Sequence, residues 1–262
     1  MANRSSSPFT GIALILSIFS LGISLWTVWK GRTTTEETPG TCGVTANKLT
    51  IEQVEAALLA KPDMLVKAMT ALQEGKKQKA KEETKEGIIK QDKNLFHNEK
   101  DPVSGNPKGD VSIVSFFDYR CGYCRRAYGV LEELIKADDK VKIIYKELPI
   151  FGEDSPMSKA ALAAKRQGKY ADFHKALMNS SGTLNMDELK TLAEKLGLNV
   201  AQFEKDMADE SIMAEIKANM ELGQALGISS TPTFILTGGD MQSGLIETAD
   251  FRKLVENARN TK

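Results

Sequence analysis

Two cysteines separated by two residues, Cys121-Gly122-Tyr123-Cys124, stand between a short apolar run and an amphipathic segment, and this placement constrains the chain more than any other feature. The run from Val111 to Phe117 is rich in Val, Ile and Phe and follows a cluster of turn formers, Asp101 to Asp110, which predicts a buried strand. From Arg125 to Lys136, residues Ala127, Val130, Leu131, Leu134 and Ile135 recur on one helical face. The pair therefore lies where a strand meets the first turn of a helix. Val141 to Leu148 reads as the next strand, and strand, helix and strand at this length predict a right-handed parallel βαβ unit.

The position of the pair dictates its chemistry. Two cysteines one helical turn apart can close a disulfide. Unsatisfied N–H groups and the positive end of the helix dipole stabilise a thiolate on the first, and Arg120, Arg125 and Arg126 add positive potential. Cys121 is thus expected to be the nucleophile, with the more exposed sulfur, and Cys124 the enclosed thiol that resolves a mixed disulfide. A structural zinc would need four ligands, and beyond the pair the chain offers only Cys42, His97 and His174, with no second closely spaced ligand pair. No metal and no cofactor is expected, and the two histidines read as surface or capping residues. A permanent bridge over so short a loop would remove little chain entropy, so a purely structural role is a weak one.

Downstream, residues 156–227 lack a strand pattern and read as amphipathic helices at Ser158 to Gly168, Tyr170 to Met178, Asp187 to Leu196, Val200 to Met207 and Ile212 to Leu226. Thr231 to Leu236 is a strand, Gly238-Gly239-Asp240 a hairpin turn, and Asp250 to Ala258 a closing helix. The expected fold is α/β, a sheet interrupted by a helical insertion.

Upstream, Phe9 to Trp29 is about 21 residues without a charge, long enough to cross a bilayer, and ends in Trp26, Trp29, Lys30 and Arg32, which suit its interface. Residues 1–31 are expected to be an uncleaved membrane anchor, the alternative being a cleaved signal, and residues 32–48 a solvated linker. In residues 49–94, Thr50 with Gln53 forms a capping box, Pro62 interrupts, and Met64, Leu65, Ala68, Met69 and Leu72 form a second apolar face up to Gly75. Two short helices in a hairpin are too small to bury these faces alone, so they must pack on the rest of the chain or on the same segment of another subunit, of which the expectation is a homodimer contact. Gly75 to Lys93 reads as a solvated connecting helix or a charged linker. Cys42 is either a bridge between subunits or a free thiol. With Lys+Arg and Asp+Glu both at 35, no global field favours nucleic acid.

Phe116-Phe117-Asp118-Tyr119-Arg120-Cys121-Gly122-Tyr123-Cys124, the helical insertion and Thr231-Pro232-Thr233-Phe234 together resemble the thioredoxin superfamily, and more closely the DsbA family of periplasmic disulfide oxidoreductases in its N-terminally extended branch. The resemblance covers residues 95–262. It implies a thioredoxin fold, a cis Thr231–Pro232 bond lying against the active-site sulfurs, and backbone pairing of Thr231 with bound substrate. It also implies Gly122 and Tyr123 as the active-site dipeptide. Relatives carry an acid six positions before the first cysteine, and here Ser115 stands there, leaving Asp118 or a water to take its part in proton movement. Tyr123 replaces the histidine of the best-known oxidases, which implies a less extreme oxidant.

Thr231 and the N-terminal extension resemble the isomerase branch. The resemblance therefore implies formation or isomerisation of disulfides in unfolded or misoxidised exported proteins, in the periplasm, with a membrane redox partner of the DsbB or DsbD type. The alternatives are a dedicated periplasmic reductase or copper-resistance thiol protein, and a non-enzymatic surface or assembly protein whose cysteines brace a helix.

Overall fold

Val111–Phe117 (β2) is buried along its whole length, as a strand covered on both faces must be, and the rest of the sheet is arranged around it. The computed structural model describes residues 50–152 and 155–260. The anchor expected over residues 9–29, the linker and Cys42 lie outside the described residues. Among those described, no helix is long and apolar enough to cross a membrane.

The chain divides into two units, Met1–Glu55 and Ala56–Lys262. Of the first, residues 50–55 are described, and there the expected capping box is formed: Thr50 N–H donates to Gln53 Oε1 at 3.0 Å and Gln53 N–H to Thr50 Oγ1 at 3.3 Å. Helix α1 spans Ile51–Ala60, and α2 spans Pro62–Lys90 with Pro62 in its first turn. Where the sequence suggests a break at Gly75, α2 runs straight through. The glycine costs about 1 kcal/mol, which the strong helix formers Lys, Glu, Gln and Ala on its C-terminal side offset. Its last turns carry Ile88 into a core shared with Leu95 and Phe96 of α3 (Asp92–Phe96).

Among the described residues the sheet has five strands, in the order β1 (Val103–Gly105), β3 (Val141–Glu147), β2, β4 (Thr233–Leu236) and β5 (Met241–Ser243). β2 pairs in parallel with β3 (Val141–Glu147) and antiparallel with β4 (Thr233–Leu236), so the expected βαβ unit is present. Two short edge strands were not foreseen: β1 (Val103–Gly105), which forms inside the cluster of turn formers, and β5 (Met241–Ser243), which follows the hairpin turn. Each is held by its antiparallel neighbour rather than by an apolar pattern of its own.

Strand alternation sorts the core into two layers. Val111, Ile113, Phe117, Val141, Ile143, Tyr145, Phe234 and Leu236 meet α4 (Gly122–Ala137) and α10 (Thr248–Asn260) on one face. Val114, Phe116, Ile144 and Ile235 meet Ile88, Leu95, Phe96, Leu222 and Leu226 on the other. The insertion supplies α5 (Pro156–Arg166), α6 (Tyr170–Met178), α7 (Met186–Lys195), α8 (Val200–Met207) and α9 (Glu210–Ala225). Of these, α5, α6, α7 and α8 extend the first layer through Leu162, Phe173, Leu177, Leu189 and Phe203. By the same alternation Ser115 and Glu147 belong to the first layer and Lys146 to the second.

Candidate active site

The turn Asp118-Tyr119-Arg120 carries the chain from β2 into α4, and its hydrogen bonds fix where the first cysteine stands. Asp118 is fully buried, and its carboxylate accepts from Arg120 N–H (2.7 Å), Phe151 N–H (3.3 Å) and the Arg120 guanidinium (3.5 Å). Its carbonyl accepts from Cys121 N–H at 3.0 Å. Arg125 locks the turn from the other side, donating to the carbonyls of Tyr119 (2.9 Å), Ser180 (2.7 Å) and Gly182 (2.8 Å). Arg120 and Arg125 are thus engaged in holding the loop instead of standing free beside the sulfur. Arg126 lies over the ring of Tyr123, 4.6 Å from its centroid.

Cys121 is the N-cap of α4. Its extended backbone (φ −82°, ψ 112°) turns its side chain onto the helix start, where Sγ accepts from Cys124 N–H at 3.4 Å. A sulfur here does what Ser or Asp does at other helix starts, and it meets the positive end of the macrodipole. The amphipathic face that buries Ala127, Tyr128, Leu131 and Leu134 also takes in Cys124, one turn into the helix.

The Cys121 thiol donates to the carbonyl of Thr231 at 3.3 Å, and the Thr231–Pro232 bond is cis. The loop is held by Thr233, whose hydroxyl donates to Ser230 O (2.8 Å) and meets Ser243 Oγ at 2.9 Å. Because this loop covers the sulfur, Cys121 is only 6% exposed against 2% for Cys124, a smaller contrast than the sequence suggests. Gly122 and Tyr123 face outward: a side chain at 122 would meet open space, and Tyr123 is 58% exposed. Ile150 and Phe151 are exposed nearby, with Arg120 over the Phe151 ring.

Burial raises the Cys124 thiol well above the ordinary cysteine range, against hydrogen bonding from Asp118 and Thr231 that pulls it down. Cys124 therefore needs help to lose its proton. Ser115 supplies no carboxylate, and Asp118 is committed to Arg120 and Phe151. The buried acid that is present, Glu147 at the end of β3, gave no sign in the sequence beyond a charge closing an apolar run. Burial raises it to about 8, opposed by hydrogen bonds from Ser158, Tyr170 and Tyr119. His174, expected at the surface or in a cap, is instead 1% exposed among Phe117, Tyr119, Tyr128, Tyr145 and Tyr170. Burial lowers it to about 3, so its imidazole is neutral. α6 places His174 on the same buried face as Tyr170, Phe173 and Leu177, a spacing that was legible although the histidine's role was not. His97 is exposed and lies 3.3 Å from Asp92.

Residues 97–257 match the family model described as Thioredoxin. A thioredoxin-like oxidoreductase from Silicibacter pomeroyi DSS-3 is 40% identical, covering 65% of this chain and 98% of its own, with a TM-score of 0.62. The thiol-disulfide exchange protein α-DsbA2 from Wolbachia pipientis is 28% identical, covering 68% and 96%, with a TM-score of 0.63. Among curated sequences, the Na(+)/H(+) antiporter NhaA 3 of Salinispora tropica is 27% identical over 143 residues, which are 53% of this chain and 22% of that protein. The chain thus spans about a fifth of the length of that curated relative.

Proposed function

The chain belongs to the thioredoxin family, among its DsbA-like members, and from that premise we propose that it exchanges thiols and disulfides with exported proteins through Cys121 and Cys124. One observation carries the reading: Cys121 Sγ sits at the N-terminus of α4 and against the Thr231 carbonyl. When the pair is oxidised, a substrate thiolate attacks Cys121 Sγ, the Cys121–Cys124 bond breaks, and its electron pair leaves on Cys124. A second substrate thiolate then attacks the substrate sulfur of the mixed disulfide and releases Cys121. The substrate leaves oxidised and the pair reduced.

When the pair starts reduced, Cys121 attacks a wrong disulfide and releases one substrate thiolate. Attack of another substrate thiolate on the substrate sulfur of the adduct then makes a new pairing and frees Cys121 reduced, which is isomerisation, whereas attack of Cys124 on Cys121 leaves the substrate reduced and the pair oxidised. Thr231 offers its backbone to the substrate chain. Tyr123, Ile150 and Phe151 offer it exposed apolar surface.

The reaction needs an oxidising compartment, which places the catalytic domain in the periplasm, re-oxidised or reduced by a membrane protein of the DsbB or DsbD type. Residues 9–29 would tether it there. The exposed apolar stripe of α2, with Leu65, Met69 and Leu72 at helical spacing, supports a homodimer through the N-terminal helices. Insulin reduction and refolding of scrambled ribonuclease, run on wild type beside Cys121→Ser, test the reading. Loss of both activities in the variant is expected, and activity that survives it contradicts the proposal.

A further inference from the structure

Beside Cys124 a small cavity of ≈ 10 Å³ is lined in part by Ser115, Tyr128, Tyr145, His174 and Pro232. That is about the space one water needs, and Cys124, Ser115 and His174 give it polar partners. At the imidazole, Nδ1 lies 2.7 Å from the Tyr119 hydroxyl and 3.4 Å from that of Tyr170. Both hydroxyls donate to Glu147 Oε1, at 3.1 and 3.0 Å. Since each tyrosine hydrogen is spent on the carboxylate, the hydrogen between Tyr119 and the ring comes from Nδ1. Nε2 is then left with a bare lone pair, and it is buried with no protein partner.

We propose that Glu147, Tyr119 and His174 form a proton relay that serves Cys124 through a water in this cavity, in place of the acid missing at Ser115. The relay rests on the exchange chemistry proposed above.

When Cys124 resolves an adduct, its thiol proton passes through the water to His174 Nε2, the Nδ1 proton moves to Tyr119, and the Tyr119 proton moves to Glu147. Cys124 Sγ then attacks Cys121 Sγ. The Cys121–Cys124 bond forms, the bond from Cys121 to the substrate sulfur breaks, and the substrate leaves as a thiolate. Tyr119 and His174 end neutral, and the net transfer is one proton from Cys124 to Glu147. In the oxidising direction the same hops run backwards and return the proton to the leaving Cys124. Besides Tyr119, the groups facing Glu147 are Ser158 of α5, Tyr170 of α6 and, at longer range, Glu215 of α9. None of these carries a positive charge to hold the carboxylate ionised permanently.

The test is stopped-flow reaction of the full-length reduced protein, with Cys42→Ser, and the chromogenic disulfide dithio-bis-nitrobenzoate. The first thionitrobenzoate is released by Cys121 and the second by Cys124. Glu147→Gln is expected to slow the second release ~10-fold or more relative to the first. It should also abolish the rise of that release with pH through about 8. His174→Phe should do the same, and Ser115→Asp, added to Glu147→Gln, should restore part of the rate and its pH dependence by supplying a carboxylate at the cavity wall.

In wild type the second release should slow in deuterium oxide, a readout that depends on no variant's folding. An unchanged second release in Glu147→Gln, or no isotope effect in wild type, overturns the relay alone. Absence of the first release from wild type overturns the exchange reading and the relay with it.

Discussion

The sulfur of Cys121 and the carbonyl oxygen of Thr231 lie 3.3 Å apart although 110 residues separate them in the chain. The contact is made by the Thr231 backbone, while its buried side-chain hydroxyl acts on the second sulfur, pulling the Cys124 thiol down against the effect of burial. Thr231→Val keeps the carbonyl and the shape while removing that hydroxyl. It is expected to raise the Cys124 thiol further, so that resolution by Cys124 needs a higher pH while attack by Cys121 is unaltered. An unchanged pH profile of the resolving step would show that the hydroxyl does not act on Cys124.

The buried pair Glu147 and His174 predicts a pH profile for stability. Glu147 moves from 4.5 in the unfolded chain to about 8, so the folded state holds an extra proton in that window and stability from this group falls as pH rises through it. His174 moves from 6.5 to about 3, so the unfolded chain binds the extra proton there, and stability from this group falls as pH drops through that window. The two slopes oppose each other between 4.5 and 6.5, which leaves a plateau with a decline on each side. Each decline is about 1.4 kcal/mol per pH unit. Glu147→Gln should abolish the decline on the alkaline side, read by urea denaturation across pH, and a decline that persists in this variant would assign it to another group.

On the opposite face of β3, Lys146 Nζ lies 2.6 Å from Asp101 Oδ2 with both side chains buried, and it donates to the Asn94 carbonyl at 2.8 Å. The pair ties β3 to the segment that leads from α3 into β1. Lys146→Met strands a buried carboxyl whose burial already raises its pKa. It should therefore cost about 3–5 kcal/mol. Lys146→Met with Asp101→Leu should recover most of that loss. Equal stability of the single and double variants would show that the ion pair is not what the site needs.

Leu65, Met69 and Leu72 are exposed on one side of α2, whereas Ile88 near its end is buried. Leu65→Glu with Met69→Glu should therefore leave the thermal unfolding of the catalytic domain unchanged and shift the protein to monomer in sedimentation. An unaltered mass would remove the proposed role of this stripe.

Much of the architecture was legible because it is written in apolar runs. Val111–Phe117 is interrupted only by Ser112 and Ser115, Val141–Glu147 carries Val141, Ile143, Ile144 and Tyr145 among its charges, and a helix that takes in Cys124, Ala127, Tyr128, Leu131 and Leu134 has an evident period. Val103–Gly105 was not legible, because a three-residue edge strand owes its existence to the partner that offers it hydrogen bonds. The cysteine motif announced the surface of the site. Its interior did not announce itself: a lone histidine and a glutamate at a strand end look like surface residues until the fold brings Tyr119 and Tyr170 against them. Likewise Arg125 reads as a free charge beside the motif, while the carbonyl of Tyr119 in the same turn and those of Ser180 and Gly182 in one distant segment hold it.

The account stands on an asymmetry between two sulfurs one turn apart, and alkylation of the reduced protein with limiting iodoacetamide near neutral pH, followed by peptide mapping, measures it directly. Cys121, at the N-cap and against the opening of the site, should be modified on the order of a hundredfold faster than Cys124. Cys124, with its thiol raised by burial, should react only as the protein unfolds. Equal rates at the two positions, or preferential modification of Cys124, would contradict the assignment of Cys121 as the nucleophile.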